Sequence, residues 1–146
     1  MMKPDWIEMG LKAPHTMVAS DGMPYALGAH PRGAGTFSRF LGRYVREEGT
    51  LSLMEGLRKM TLMPAQRLES ISPQMTRKGR IQLGSDADIT IFDPSRIIDT
   101  ATFEDDLSYS IGVEYVLVNG SFVVREGENV EGARPGVPIV GRRIVF

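Results

Sequence analysis

At 146 residues, with a formal net charge of -1, 24% charged residues and no cysteine, the chain has the length of one ordinary domain, and an independent fold of that size hides roughly 70% of its unfolded surface. It carries no global positive field to hold phosphate backbones or anionic lipid, which argues against nucleic acid and membrane surfaces as partners. No apolar run approaches the roughly eighteen residues of a membrane span, the start Met1-Met2-Lys3-Pro4-Asp5-Trp6 lacks a signal-peptide core, and a disulfide framework is ruled out, so a soluble cytoplasmic protein is expected.

Residues 3–14 read as a short amphipathic approach in which Trp6, Ile7, Met9 and Leu11 cover apolar surface, and Pro14 forces an extended entry into the next segment. The run from His15 to Ser20 is apolar, ends in Asp21 and breaks at Gly22, the pattern of a buried strand with an acid at its C-terminal lip. That lip is where α/β barrels keep their chemistry, so Asp21 is a candidate reacting group; Asp-Gly is equally the punctuation of an ordinary turn. A glycine- and proline-rich loop is expected over residues 22–36, and loops of that length are usually functional or disordered. It carries His30-Pro31-Arg32, where Arg32 is suited to gripping a carboxylate through two parallel hydrogen bonds or is a solvated loop charge. His30 by itself reads as a hydrogen-bonded loop residue.

From Phe37 the period is helical: Phe37, Phe40, Leu41, Tyr44 and Val45 make one stripe, with Thr36 as N-cap and Gly49 as the stop. A second helix starts at Ser52, where Ser52 and Glu55 have capping-box spacing; Leu53, Leu57 and Met60 supply its stripe, Pro64 ends it, and residues 64–68 add one further turn. The methionines here read as core filler. Past Ser70 the pattern becomes β. Short strands are expected over residues 80–84 and 87–92, with Asp93-Pro94 as a stop, a loop with room for one helical turn over residues 95–110, and a hairpin of residues 113–118 and 121–125 around Asn119-Gly120. Ile139-Val140 and residues 142–146 read as candidate edge strand.

The residue inventory limits what chemistry the chain can perform unaided. A catalytic zinc site usually needs three protein ligands, and the chain holds only His15 and His30 and no thiolate. Neither a nucleophile elbow nor a phosphate-cradling glycine loop is present.

Six blocks nonetheless occur in the order of one family: Ser20 to Gly22, His30 to Arg32, GTFSRFLGRYVRE from Gly35, MTLMPAQRL from Met60, KGRIQLGSDADITIFDP from Lys78 and VEYVLVNGSFVVREG from Val113. Together they resemble the C-terminal third of the amidohydrolase superfamily, and within it the N-acyl-D-amino-acid deacylases (D-aminoacylases). The resemblance implies an α/β fold: the last strand and helices of a metal-dependent (β/α)8 barrel over residues 1–70, and the C-terminal portion of an accessory β-sandwich over residues 71–146. It implies hydrolysis of an N-acyl-D-amino acid by a zinc-bound water, with Asp21 taking and delivering the proton and lending an oxygen to a second, weaker metal site. Arg32 matches the arginine that holds the substrate's α-carboxylate. Ala34 stands where the family usually has an aromatic residue, which points to a differently shaped substrate loop.

The family's HxH pair and other zinc-binding histidines have no counterpart in this sequence. The chain is therefore expected to be a C-terminal segment, inactive by itself, that takes up zinc only with the missing barrel half. Strand edges left unpaired would favour self-association. A catalytically silent structural module and an amidohydrolase of another linear or cyclic amide are the alternatives.

Overall fold

A computed structural model describes residues 3–23 and 30–142, and the chain divides into two compact, discontinuous units, Met1–Met60 with Phe92–Val113 and Thr61–Ile91 with Glu114–Phe146.

In the first unit, helix α1 (Pro4–Lys12) opens on a proline whose missing N–H costs nothing there, and carries Asp5 in its first turn and Lys12 in its last, both favourable to the helix dipole. Leu11 packs on the core, while Trp6 and Met9 stay exposed. The run expected to be a buried strand is not one: residues 16–23 are irregular and Met17 is exposed. A barrel strand owes its burial to ladders on both sides. This segment is held differently, by the Val18 N–H donating to the Lys59 carbonyl at 3.1 Å.

Helix α2 (Arg32–Arg39) replaces the second part of the expected loop. Pro31 already has a helical φ of -56°, and the Gly35 N–H donates to its carbonyl at 2.9 Å, so the first turn closes there. Thr36 is consequently an interior residue, donating its hydroxyl to the Arg32 carbonyl at 2.8 Å, and not the cap. The helix widens into a π-helical stretch, Phe40–Glu47, in which the Glu48 N–H reaches back to the Arg43 carbonyl at 2.8 Å. A stripe counted at α-helical spacing drifts across such a change of pitch: Phe40 and Leu41 are buried with Tyr44 and Val45 packed against them, but Phe37 is exposed. Gly49 ends the stretch at φ +61°, the conformation anticipated for it.

Helix α3 (Leu53–Met60) is capped as expected by the Ser52 hydroxyl, which accepts the Glu55 N–H at 3.2 Å. The reciprocal half of the box is missing, because the Glu55 carboxylate takes two hydrogen bonds from Arg58 at 2.8 Å. Residues 95–110, expected as loop with room for one helical turn, form no helix and complete the core: Ile97 is buried with Phe40 and Leu41, and Ile98 bridges Ile111. Gly42 permits this, since a Cβ there would lie 2.4 Å from the Ile97 carbonyl oxygen. At the anticipated Asp93-Pro94 stop, the Asp93 carboxylate accepts from the hydroxyl and the N–H of Ser95, which together hold its carboxyl below the usual range.

In the second unit, the helix break falls at Thr61 (φ -127°, ψ -76°) and not at Pro64, which sits in the first turn of helix α4 (Leu62–Leu68), where no N–H is required. A 3-10 turn, Pro73–Arg77, comes next. The strand expected over residues 80–84 does not form: Gly79 and Gly84 turn the chain at φ +68° and +82°, and Ile81 and Leu83 are 88% and 102% exposed. Alternation produces a strand only where a partner covers one face.

The sheet runs in the order β1 (Ile89–Phe92), β2 (Val113–Val118), β3 (Ser121–Arg125), β4 (Glu128–Asn129). Asn119 and Gly120, at φ 49° and 78°, make the expected hairpin turn with Val118 opposite Ser121, and a bulge falls between Val116 and Leu117. A second turn at Glu126-Gly127 adds β4, which the sequence did not announce. Lys78 stands between the Asp86 and Asp88 carboxylates, and Asp88 also accepts the Asn119 N–H at 2.7 Å. The tail is not an edge strand at Ile139-Val140. It is fixed by Gln74, whose side-chain oxygen accepts the Val140 N–H at 2.8 Å, and by Ser72, whose hydroxyl donates to the Val140 carbonyl at 2.8 Å. Most of the last expected strand, residues 143–146, lies outside the described residues. Among the described residues, no helix is long and apolar enough to cross a membrane.

Candidate functional site

Asp21 lies beyond the Lys59 clamp. The Lys59 side chain, 1% exposed, donates from Nζ to the Ala13 carbonyl at 2.6 Å and the Thr16 carbonyl at 3.1 Å, while its own carbonyl takes the Val18 N–H. Two successive points of the segment leading to Asp21 are thus pinned to α3. A lysine in the last turn of a helix ordinarily reads as a partner of the dipole, and nothing in the sequence flags this one as buried.

Asp21 itself adopts φ +50°, a left-handed conformation that aspartate tolerates better than most residues but that still costs on the order of 1 kcal/mol. The chain then folds back on the start of α2. A Cβ on Gly22 would lie 2.8 Å from the Gly33 Cα, so the absence of a side chain at residue 22 lets the two backbones touch. The consequence is the contact the site is built on: Arg32 Nη2 and Asp21 Oδ2 are 2.9 Å apart. The two residues singled out from the sequence are brought together, although Arg32 opens a helix where a loop was expected. Their side chains are 44% and 83% exposed, so the pair contributes about 1 kcal/mol or less to stability and is open to exchange.

His30 joins them. Its Nδ1 accepts the Arg32 backbone N–H at 3.1 Å, and its ring meets that of Phe103 edge-on at 4.9 Å. Beside them lies a cavity of about 380 Å³ with His30, Arg32, Arg39, Asp99 and Phe103 in its wall. Arg39 is satisfied there by Asp99 Oδ2 at 3.2 Å, and Gly35 lets the two elements approach, since a Cβ on it would meet the Asp99 Cβ at 2.7 Å.

The arrangement offers an exposed carboxylate next to a guanidinium, which can bind an anion or move a proton. It does not by itself fit a metal centre: no group of three or more His, Asp or Glu side chains that could hold an ion occurs among the described residues, and Asp21 is turned to Arg32.

The sequence pattern of the amidohydrolase family matches residues 8–124. N-acyl-D-glutamate deacylase of Alcaligenes xylosoxydans xylosoxydans is 42% identical over 107 residues, 73% of this chain and 21% of that protein. A crystal structure of D-aminoacylase superposes with a TM-score of 0.86 at 34% identity, covering 96% of this chain and 28% of that one. N-acyl-D-glutamate deacylase of Bordetella bronchiseptica, solved with zinc and a phosphonate that mimics the tetrahedral intermediate, gives 0.77 at 36% identity over 88% of this chain and 27% of that one. The chain thus spans about a fifth of the length of the first of these relatives.

Proposed function

The chain belongs to the amidohydrolase family, and from that premise we propose that it is part of an N-acyl-D-amino-acid deacylase, which hydrolyses the amide bond to a carboxylate and a free D-amino acid. Residues 1–70 correspond in this reading to the last strand and helices of a (β/α)8 barrel, and residues 71–146 to the C-terminal portion of an accessory β-sandwich. Zinc belongs to the complete enzyme, with ligands beyond those grouped in the described residues.

The observation that carries the reading is the Asp21–Arg32 contact at 2.9 Å. Arg32 offers a planar donor pair to the α-carboxylate of the substrate. A substrate held there has its amide within a few ångströms of Asp21, because the two side chains already touch. Asp21 Oδ2 then accepts the proton of the attacking water and returns it to the leaving nitrogen, which otherwise departs as an unstable amide anion. A carboxylate so placed contributes about 10²- to 10⁴-fold.

The test is release of free amine from an N-acetyl-D-amino acid panel by the complete protein carrying this chain. Asp21→Asn is expected to lower kcat by about 10²-fold or more, and Arg32→Met to raise KM for carboxylate-bearing substrates. Unchanged kinetics in both variants would remove the pair from the reaction and favour the silent module.

A further inference from the structure

We infer that His30 is a positioning residue: its imidazole Nδ1 caps helix α2 at the Arg32 N–H and thereby aims the Arg32 guanidinium at its carboxylate. The inference rests on the reading of Arg32 as the carboxylate-holding residue and assigns the motif's histidine a task that reading leaves open.

A helix start leaves its first backbone N–H groups without partners inside the helix. In α2 the Gly33 N–H goes to the His30 carbonyl at 3.0 Å, and the Ala34 and Gly35 N–H groups go to the Pro31 carbonyl at 3.2 and 2.9 Å. The remaining N–H is that of Arg32, and Pro31 at the N-cap has no side-chain acceptor to offer it. His30 supplies one, Nδ1 at 3.1 Å. A ring nitrogen accepts only when it carries no proton, so this cap requires the tautomer with its hydrogen on Nε2. The Phe103 ring, 4.9 Å away and inclined at 71°, limits rotation of the imidazole about its own axis. The sequence order then has a physical logic: His30 accepts, Pro31 pre-sets the helical φ, and Arg32, fixed at its backbone, has only its side chain left free to move between Asp21 and an incoming anion.

The test uses the complete protein carrying this chain, labelled with ¹⁵N and stripped of zinc so that the carboxylate probe, N-acetyl-D-alanine, binds without turnover. The cap predicts a scalar coupling across the hydrogen bond between the Arg32 backbone nitrogen and His30 Nδ1, together with the chemical shifts of the Nε2–H tautomer; a protonated Nδ1 or no coupling overturns it. Titration of the Arg32 Nε–H signal, and of the Gly33 and Ala34 backbone amide signals, which survive in every variant, is then compared among variants. His30→Ala is expected to weaken the probe about fivefold, the size of a lost N-cap. His30→Asn, whose amide oxygen is a good N-cap acceptor, is expected to restore affinity to within about twofold. Affinity in His30→Ala equal to that of the parent chain, with loss of the probe in Arg32→Met, would overturn the positioning role and leave Arg32 as the anion site. An Arg32→Met variant that binds as well as the parent, or a parent chain whose Arg32 signal ignores the probe, would overturn the reading of Arg32, and with it the inference.

Discussion

Lys59 Nζ lies 2.6 Å from the Ala13 carbonyl oxygen, inside the first unit, with the Thr16 carbonyl as a second acceptor at 3.1 Å. An ammonium taken out of water needs such partners. Lys59→Met keeps the apolar stem and removes the donor, leaving the Thr16 carbonyl short of a buried partner. A loss of about 1 to 3 kcal/mol is expected in the urea unfolding free energy, with faster amide exchange at Val18. An unchanged midpoint would show that the clamp adds nothing beyond packing.

Alanine in place of glycine should act with opposite signs at two helical positions. In α1, Gly10 has nothing within 4 Å of its would-be Cβ, so Gly10→Ala is expected to stabilise by about 0.5 to 1 kcal/mol through helix propensity alone. At Gly42 the Cβ would sit 2.4 Å from a backbone oxygen and 2.6 Å from the Ile98 Cδ1. Gly42→Ala is expected to destabilise by about 1 to 3 kcal/mol. Thermal or urea unfolding of the two variants in parallel gives both signs in one experiment.

The Lys78–Asp88 contact makes the second unit sensitive to pH at both extremes. The ammonium of Lys78, and then the Asn119 N–H, hold the Asp88 carboxyl below its usual range. The stabilisation this gives is present above an unfolded value of about 3.9 and is lost as pH falls through the lower folded value. Lys78 is raised, first by Asp88, so its share is complete below about pH 10.4 and is lost as pH rises through the folded value. Asp88→Asn is expected to lower stability at neutral pH and to flatten the acid limb of a stability–pH curve. An acid limb identical to that of the parent chain would assign it to other carboxylates.

Glu126 occupies a left-handed conformation, φ 54°, in the turn between β3 and β4, next to Gly127 at φ 81°. Asn119 holds the same conformation in the preceding hairpin, with a residue type suited to it. Glu126→Asn is therefore expected to stabilise by about 0.5 kcal/mol, about half of the usual cost of such strain, with amide exchange slowed at Val130, whose N–H donates to the Val123 carbonyl. A destabilised variant would mean that the glutamate side chain contributes more than its backbone costs.

Legibility in the sequence tracked the reach of the interactions. The Asn119-Gly120 turn, the Ser52 cap and the Gly49 stop are decided within a few residues, and each was legible. The strands assigned to residues 15–20 and 80–84 were not, because alternation or apolarity specifies a strand only when another element covers it, and Ile81 and Leu83 are left in solvent. The core was half legible: the stripe of Phe40 and Leu41 could be counted, but its partner Ile97 sits in a segment without periodicity. Asp21 and Arg32 could be chosen by residue type and motif, whereas their contact depends on two glycine backbones touching, Gly22 and Gly33, which no local pattern encodes.

Since Arg32 already faces an acid of its own chain, an arriving carboxylate does not neutralise a bare cation. It takes part in an ion exchange, in which one anion leaves the guanidinium as another arrives and the count of charge pairs stays the same. Added salt screens the departing and the arriving pair alike, to a similar degree at this exposure. The affinity of the site for carboxylates should accordingly be nearly flat with ionic strength, and the steep salt dependence expected of a lone arginine should emerge only when Asp21 is replaced by asparagine.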